Sequence, residues 1–256
     1  VAISLGGPKL LSLDSNEAVD AYPREVLASA GLDSDYVRAH TGWHRFSPGG
    51  ERGLLIAGGV DGPTFLWMDP RAPEDARILR FPSDFDLRLI GLRNNASWSP
   101  DADYLLVTEQ QETYSRLWRI DVERDDWRVV ATKPARTDMD QRQSTIWSID
   151  GRWAAWWTFV YSSRDEKALY IDFLETQGWG NTRVAVVQAA RGGTIAGWLR
   201  STDGRPYLVV WSDVPGGGVL LLDPEDPAGD QVLIPYETLA AQIPRIKGLK
   251  PGPWQP

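Results

Sequence analysis

Cationic and amide side chains recur along this chain at a spacing that could build one anion-binding site. In five successive segments a basic residue stands four to eight positions before an aromatic residue. Arg can hold a carboxylate or phosphate through two parallel hydrogen bonds, and like charges that cluster in a concave surface focus their potential on a ligand. The candidate binding residues are Arg38, His40, Arg93, Asn94, Asn95, Arg142, Gln143, Arg191 and Lys250.

A second interpretation of the same Arg residues stays open. Acidic residues stand near them in the sequence and could neutralise them as ordinary surface salt bridges, which contribute little to stability. These acidic residues are Asp84, Asp86, Asp138 and Asp140.

The sequence lacks the residues that several other kinds of site require. The chain has no Cys, which excludes disulfides, thiolate zinc sites and cysteine nucleophiles. His40 and His44 are the only histidines, and nothing near them in the sequence completes a metal site. The sequence has no Gly-x-Ser-x-Gly elbow and no phosphate-binding glycine loop. We therefore expect no catalytic residue, no cofactor and no metal.

Composition limits the partners. The 256 residues carry a net charge of −8, whereas nucleic-acid binding depends on Lys and Arg that neutralise phosphates. No apolar run approaches the roughly 18 residues that span a membrane. We expect a small anionic ligand or a protein partner, with no nucleic acid and no membrane insertion. The compartment stays unknown, with an extracytoplasmic one slightly favoured.

The elements that would position these residues follow from an internal repeat. A Ser in a turn-like tetrapeptide recurs at Ser47, Ser99, Ser148 and Ser201, as in Ser99-Pro100-Asp101-Ala102. A short apolar strand that ends in Asp recurs with a similar period, at Asp14, Asp69, Asp121, Asp172 and Asp223. Pro at the second position and Gly at the last suit a tight type I turn between two strands. Each repeat of about fifty residues therefore predicts four antiparallel strands, A to D, which is a propeller blade.

The predicted fold is an all-β, single-domain β-propeller of about five four-stranded blades over residues 1–256. Its first blade lacks strand A, which Trp254-Gln255-Pro256 could supply because it resembles Trp98-Ser99-Pro100. Such a strand would close the ring and leave no open edge. A fragment of a longer propeller is the alternative. Approximate blade limits are 1–22 plus 246–256, 37–82, 89–134, 140–190 and 194–235, with short helices at 24–30 and 236–242.

Tryptophan is abundant, with 13 residues, and most of them occupy equivalent strand positions in the repeat. Large aromatic side chains pack well between sheets, so these residues predict the core between blades: Trp98, Trp147, Trp153, Trp156, Trp157, Trp198 and Trp211. Trp179, in a Gly-flanked loop, and Trp254 are the two that we expect to be freer for contacts.

The Trp-Ser-Pro-Asp pattern before an apolar strand, followed by a strand that ends in Asp, resembles the WD-repeat-like propellers of the TolB type. It also resembles the propeller domain of prolyl-oligopeptidase-like enzymes. The resemblance covers about residues 43–235 and implies a propeller fold with a binding or scaffolding role. It transfers no catalytic residue, because those enzymes carry their nucleophile in a separate hydrolase domain. The repeat here is longer, and five blades are fewer, than is usual for this superfamily.

Three functions stay open at this point. The first is a non-catalytic binding or interaction module. The second is a five-bladed glycoside-active enzyme, which needs two carboxylates about 5 Å apart or about 6.5–9.5 Å apart. Its candidates are Asp140, Glu109 and Asp213. The third is the propeller portion of a larger protein, in which a partner domain acts.

Overall fold

The computed structural model shows a chain made almost wholly of antiparallel strands. It describes residues 2–4, 8–11, 18–20, 24–29, 43–59, 62–69, 72–85, 96–134, 140–161, 167–179, 182–189, 194–212, 217–229, 232–235 and 238. Sheet 1 comprises β1 (Ala2–Ser4), β2 (Pro8–Leu11) and β3 (Ala18–Asp20). Helix α1 (Arg24–Ser29) follows, close to the predicted 24–30. The helix predicted at 236–242 and the closing segment 246–256 fall outside the described residues, apart from residue 238.

Four further sheets each contain four strands in sequence order, as the repeat predicts. Sheet 2 has β4 (Trp43–Phe46), β5 (Gly53–Gly59), β6 (Gly62–Asp69) and β7 (Ala72–Ile78). Sheet 3 has β8 (Ala96–Trp98), β9 (Tyr104–Gln110), β10 (Tyr114–Asp121) and β11 (Asp126–Pro134). Sheet 4 has β12 (Asp140–Trp147), β13 (Trp153–Tyr161), β14 (Lys167–Glu175) and β15 (Thr182–Ala189). Sheet 5 has β16 (Thr194–Arg200), β17 (Pro206–Trp211), β18 (Gly218–Leu222) and β19 (Val232–Pro235).

The repeated Ser closes the turn between the first two strands of each four-stranded sheet. In sheet 3 the Ser99 hydroxyl donates to Asp101 at 2.5 Å and accepts the Tyr104 amide at 2.9 Å. Ser148 makes the same pair of bonds in sheet 4, with Asp150 and Trp153. In sheet 5 the bond from the Ser201 hydroxyl is the main cause that lowers the pKa of Asp203. These bonds explain why Ser and Asp recur at this spacing.

The third strand of sheet 4 corrects one part of the predicted repeat. It was expected to end at Asp172, but β14 continues to Glu175. Glu175 pairs with Trp153, just as Asp121 pairs with Tyr104 in sheet 3. Glu175 is therefore the equivalent of the recurrent Asp, and Asp172 is an inner residue of its strand.

The core lies between neighbouring sheets. One apolar cluster joins sheets 2 and 3, a second joins sheets 3 and 4, and a third joins sheets 4 and 5. Four of the predicted Trp are buried in these clusters: Trp98, Trp147, Trp153 and Trp156. Trp157 and Trp198 are partly buried, whereas Trp211 is 43% exposed, so its prediction as a core residue is wrong.

The first strands of neighbouring sheets also meet directly. β8 contacts both β4 and β12, and the hydroxyl oxygens of Ser97 and Thr145 lie 2.9 Å apart across the second of these contacts. The first strands of sheets 2, 3 and 4 thus lie side by side, as expected for the inner strands of neighbouring propeller blades. In the described part of the chain, no helix has the length and apolar character to cross a membrane.

Candidate functional site at the loop end of the sheets

Each four-stranded sheet has two different ends. The Ser turns join the first two strands at one end, which we call the turn end. The opposite end, where the first strand begins and the second strand finishes, we call the loop end. Residues near the start of a first strand, such as Arg142 and Gln143 in β12, lie at the loop end.

The structure describes only part of the predicted binding set. Arg142 is the third residue of β12 and pairs with Phe159 in the neighbouring strand. Gln143 is described together with its side chain. The remaining candidates fall outside the described residues: Arg38, His40, Arg93, Asn94, Asn95, Arg191 and Lys250.

Gln143 connects two sheets. Its side chain is 6% exposed. The amide Nε2 donates to the Ser115 hydroxyl of sheet 3 at 2.7 Å, and Oε1 accepts the Trp156 indole N–H at 3.2 Å. Both polar groups of this amide are therefore in use. Gln143 holds β12 against sheet 3, and so fixes the strand that carries Arg142.

The contact between sheets 3 and 4 becomes polar toward the loop end. Thr108 and Thr158 follow Leu106 and Trp156 by two residues, so each faces the same side of its strand as that core residue. Both threonine hydroxyls are buried and have no hydrogen-bond partner among the described residues. A buried polar atom without a partner costs free energy. The stability of the fold alone therefore does not explain why threonine stands at these two positions.

Glu109, at the loop end of β9, is fully buried. Its Oε2 accepts the Trp118 indole N–H at 2.7 Å, and its Oε1 accepts the Gln111 amide at 2.7 Å. Arg116 Nη1 lies 3.9 Å from Oε2. A carboxylate enclosed in this way cannot reach a sugar at the surface, which removes one of the three candidates for glycoside chemistry. The side chains of the other two, Asp140 and Asp213, are outside the described set.

Sequence reasoning missed the role of Arg116. Its Nη1 donates to Asp84 Oδ2 at 3.0 Å, and its guanidinium lies 4.7 Å from the centre of the Tyr114 ring. Asp84 was expected as a partner of the predicted Arg set, but its described partner is Arg116. The alternation of Tyr114, Arg116 and Trp118 along one face of β10 was the available signal.

At the described part of this end, both polar groups of Gln143 and both carboxylate oxygens of Glu109 are thus engaged within the protein. Among the residues that the structure describes, no group of three His, Cys, Asp or Glu side chains could hold a metal ion.

Searches by sequence find no matching family profile and no similar curated protein. Several solved structures are similar to this chain. Dipeptidyl peptidase 4 from Porphyromonas gingivalis is 11% identical with a TM-score of 0.56, over 89% of this chain and 38% of that one. Prolyl oligopeptidase B from Galerina marginata is 13% identical with a TM-score of 0.54, over 87% and 32%. TolB from Acinetobacter baumannii is 14% identical with a TM-score of 0.42, over 75% and 42%.

The chain spans well under half the length of these neighbours. At such low identity, the likeness to the peptidases establishes the fold and not the activity. Together with the four-stranded sheets, it shows that the chain has a β-propeller fold.

Proposed function

We propose that this chain is a binding propeller without catalytic activity of its own. It would bind a small anionic ligand, or an anionic group of a protein partner, at the loop end of its sheets. The main support is the anchoring of β12. Because Gln143 is bonded to Ser115 on one side and Trp156 on the other, the adjacent Arg142 belongs to a strand with a fixed position.

The proposal gives Gln143 a positioning role, because both of its polar groups are engaged. The other members of the predicted set remain the proposed ligand contacts: Arg38, His40, Arg93, Asn94, Asn95, Arg142, Arg191 and Lys250. We propose further that residues 246–256 complete sheet 1 as its first strand. A closed ring of five blades would then bring one basic group from each blade to one mouth.

A second candidate function has its own support. This chain spans 38% of the dipeptidyl peptidase and 32% of the prolyl oligopeptidase that share its fold. It could therefore be the propeller portion of a larger assembly, in which another domain or subunit acts. The glycoside-active alternative is weaker, since Glu109 is enclosed and bonded through both oxygens.

A thermal-shift screen of the chain tests the proposal. The panel contains inorganic phosphate, sugar phosphates, dicarboxylates, uronic acids and neutral oligosaccharides. A ligand at a hundred times its Kd stabilises a protein by about 2.7 kcal/mol, which corresponds to roughly 5–10 °C here. We expect a shift with an anion, and its loss in Arg142→Ala.

Arg128→Ala is the matched control, because it removes the same charge from the outer strand β11, where Arg128 is exposed and, among the described residues, pairs only with Asp126. An anion shift that survives Arg142→Ala would overturn the proposed site. A shift with neutral oligosaccharides alone would favour the glycoside-active alternative. If nothing in the panel binds, the anion-binding proposal fails and the larger-assembly candidate is favoured.

A further inference from the structure

The outer strand of sheet 4, β15, is a regular sheet edge with nothing paired to it in the described part of the chain. It is the last strand of its sheet, and β14 is its partner. Their pairing runs without a register shift from Leu174 with Thr182 to Lys167 with Ala189. The backbone groups on the other edge of β15 form no hydrogen bond with the backbone of any other described residue. Such an edge is a template for one more strand.

The other outer strands that the structure describes carry features that block the addition of a strand. β3 has three residues, and β19 has four and ends in Pro235. The pairing of β7 with β6 contains a register shift, and β7 includes Pro73. The pairing of β11 with β10 also contains a register shift, and β11 ends in Pro134. Short length, proline and bulges protect sheet edges in natural proteins, and β15, with eight residues, has none of these features.

The side chains of β15 make this edge apolar. Val184 is 49% exposed and Val186 is 45% exposed, and the two face the same side of the strand. Arg183 is the only charged residue of β15. Its guanidinium donates to the Glu225 carbonyl and lies 5.6 Å from the centre of the Trp153 ring, so its charge is held toward sheet 5. No charged side chain of the strand therefore stands beside the two valines, where a charge would discourage edge pairing.

We propose that β15 pairs with β15 of a second copy of this chain, antiparallel and around a twofold axis at Ala185. A twofold axis perpendicular to the sheet requires that residues opposite each other face the same side. With Ala185 opposite Ala185, Val184 of each copy stands opposite Val186 of the other, so all four valines are paired. An axis at Val184 or at Val186 would instead place one valine of each copy opposite Thr182 or Gln188. The edge is thus complementary to itself in one register.

The size of the edge sets the strength that we expect of this dimer. The eight residues of β15 are fewer than the roughly 20–30 residues a side of a standard stable interface. The net charge of −8 on each copy also opposes their approach. We therefore expect a weak dimer that forms as the protein concentration rises.

Sedimentation equilibrium of the chain tests the proposal between about 5 μM and about 1 mM, the range in which weak complexes form. We expect the average mass to rise from that of one copy toward that of two. Hydrogen–deuterium exchange then locates the contact, because residues 182–189 should exchange more slowly at the high concentration while β11 exchanges at one rate. A mass of one copy at every concentration would overturn the proposal and favour a segment of another protein as the strand that pairs with β15.

Two double variants test the contact and its register. Val184→Lys/Val186→Lys places like charges opposite each other in both valine pairs, and we expect association to weaken by about tenfold or more. Val184→Lys/Val186→Glu places opposite charges in the same pairs, so its association should be several-fold stronger than that of the double-lysine variant. In either alternative register, the second variant would place like charges opposite each other at the axis. Failure of this variant to recover association would overturn the proposed register.

Val129→Lys/Thr132→Lys is the matched control, because it adds the same two charges at exposed positions of β11. Two added positive charges reduce the net negative charge of the chain, so long-range repulsion between copies falls in both double-lysine variants. The control should therefore associate at least as well as the unchanged chain. Thermal unfolding followed by Trp fluorescence reports whether each variant is folded. An equal loss of association in the control, or no loss in Val184→Lys/Val186→Lys, would show that β15 is not the contact.

Discussion

The ammonium group of Lys133 lies 2.5 Å from the Asp172 carboxylate, across the contact between sheets 3 and 4. The same Nζ lies 3.7 Å from the centre of the Trp156 ring. Lys133 belongs to β11, the last strand of sheet 3. Asp172 lies within β14, the third strand of sheet 4. The pair therefore joins two blades outside their apolar cluster.

Loss of one partner of this ion pair should destabilise the protein. In Lys133→Met the mostly buried Asp172 loses its cation, and we expect the free energy of unfolding to fall by about 2 kcal/mol or more. Chemical denaturation measures this change. Arg128→Met removes an exposed pair with Asp126 and should cost less than about 1 kcal/mol. Equal losses in the two variants would show that the Lys133 pair does not join the blades.

Glu109 should act as a structural acceptor. In Glu109→Ala the buried Trp118 N–H loses its acceptor, and we expect a loss of about 1–3 kcal/mol. Glu109→Gln keeps an oxygen for the indole and should cost less. Glu112→Ala, at an exposed position in the neighbouring turn, should stay within about 0.5 kcal/mol. If Glu109→Ala were as stable as Glu112→Ala, the proposed bonding of this carboxylate would be wrong.

The turn between β4 and β5 contains a residue whose backbone lies in the left-handed region. Gly50 has a φ of 71° and open space where a Cβ would stand, so Gly50→Ala adds backbone strain alone. We expect a loss of roughly 1–2 kcal/mol, read as a Tm lower by roughly 2–8 °C. Gly178→Ala also meets open space but at an ordinary φ, and its Tm should hardly change. A Tm that falls equally in both variants would contradict the strain.

Closure of the ring can be tested at Trp254. If residues 246–256 form the first strand of sheet 1, Trp254 is the equivalent of Trp98, which is 8% exposed. Trp254→Ala should then cost about 3–5 kcal/mol, as Trp98→Ala should. A surface Trp would cost within about 0.5 kcal/mol. Denaturation of the two variants side by side decides between a closed ring and an open one.

Much of the fold could be predicted because its signals are local. The Ser and Asp of each turn bond within five residues of one another, so their spacing is written directly in the chain. The alternation of buried and exposed residues in strands such as β17 has a period of two, which also needs no distant information. The sequence thus predicted four-stranded antiparallel sheets in sequential order, and the structure confirmed them.

The site could be predicted only in outline. The position of Arg142 and Gln143 near the start of a first strand followed from the repeat. The partners of Gln143 did not, because Ser115 is 28 residues away and on another sheet. The exposure of Ile149 in its turn was also missed.

The sequence by itself determined the repeat, its turns and the all-β class, because hydrogen bonds within a turn and the period of a strand depend on neighbouring residues. Tertiary structure decided which groups are enclosed and which are available. It brought the Glu109 carboxylate to the Trp118 indole N–H and paired Asp172 with Lys133. Register and packing between sheets set these contacts, and a slip of one residue would turn every side chain of a strand to the other face.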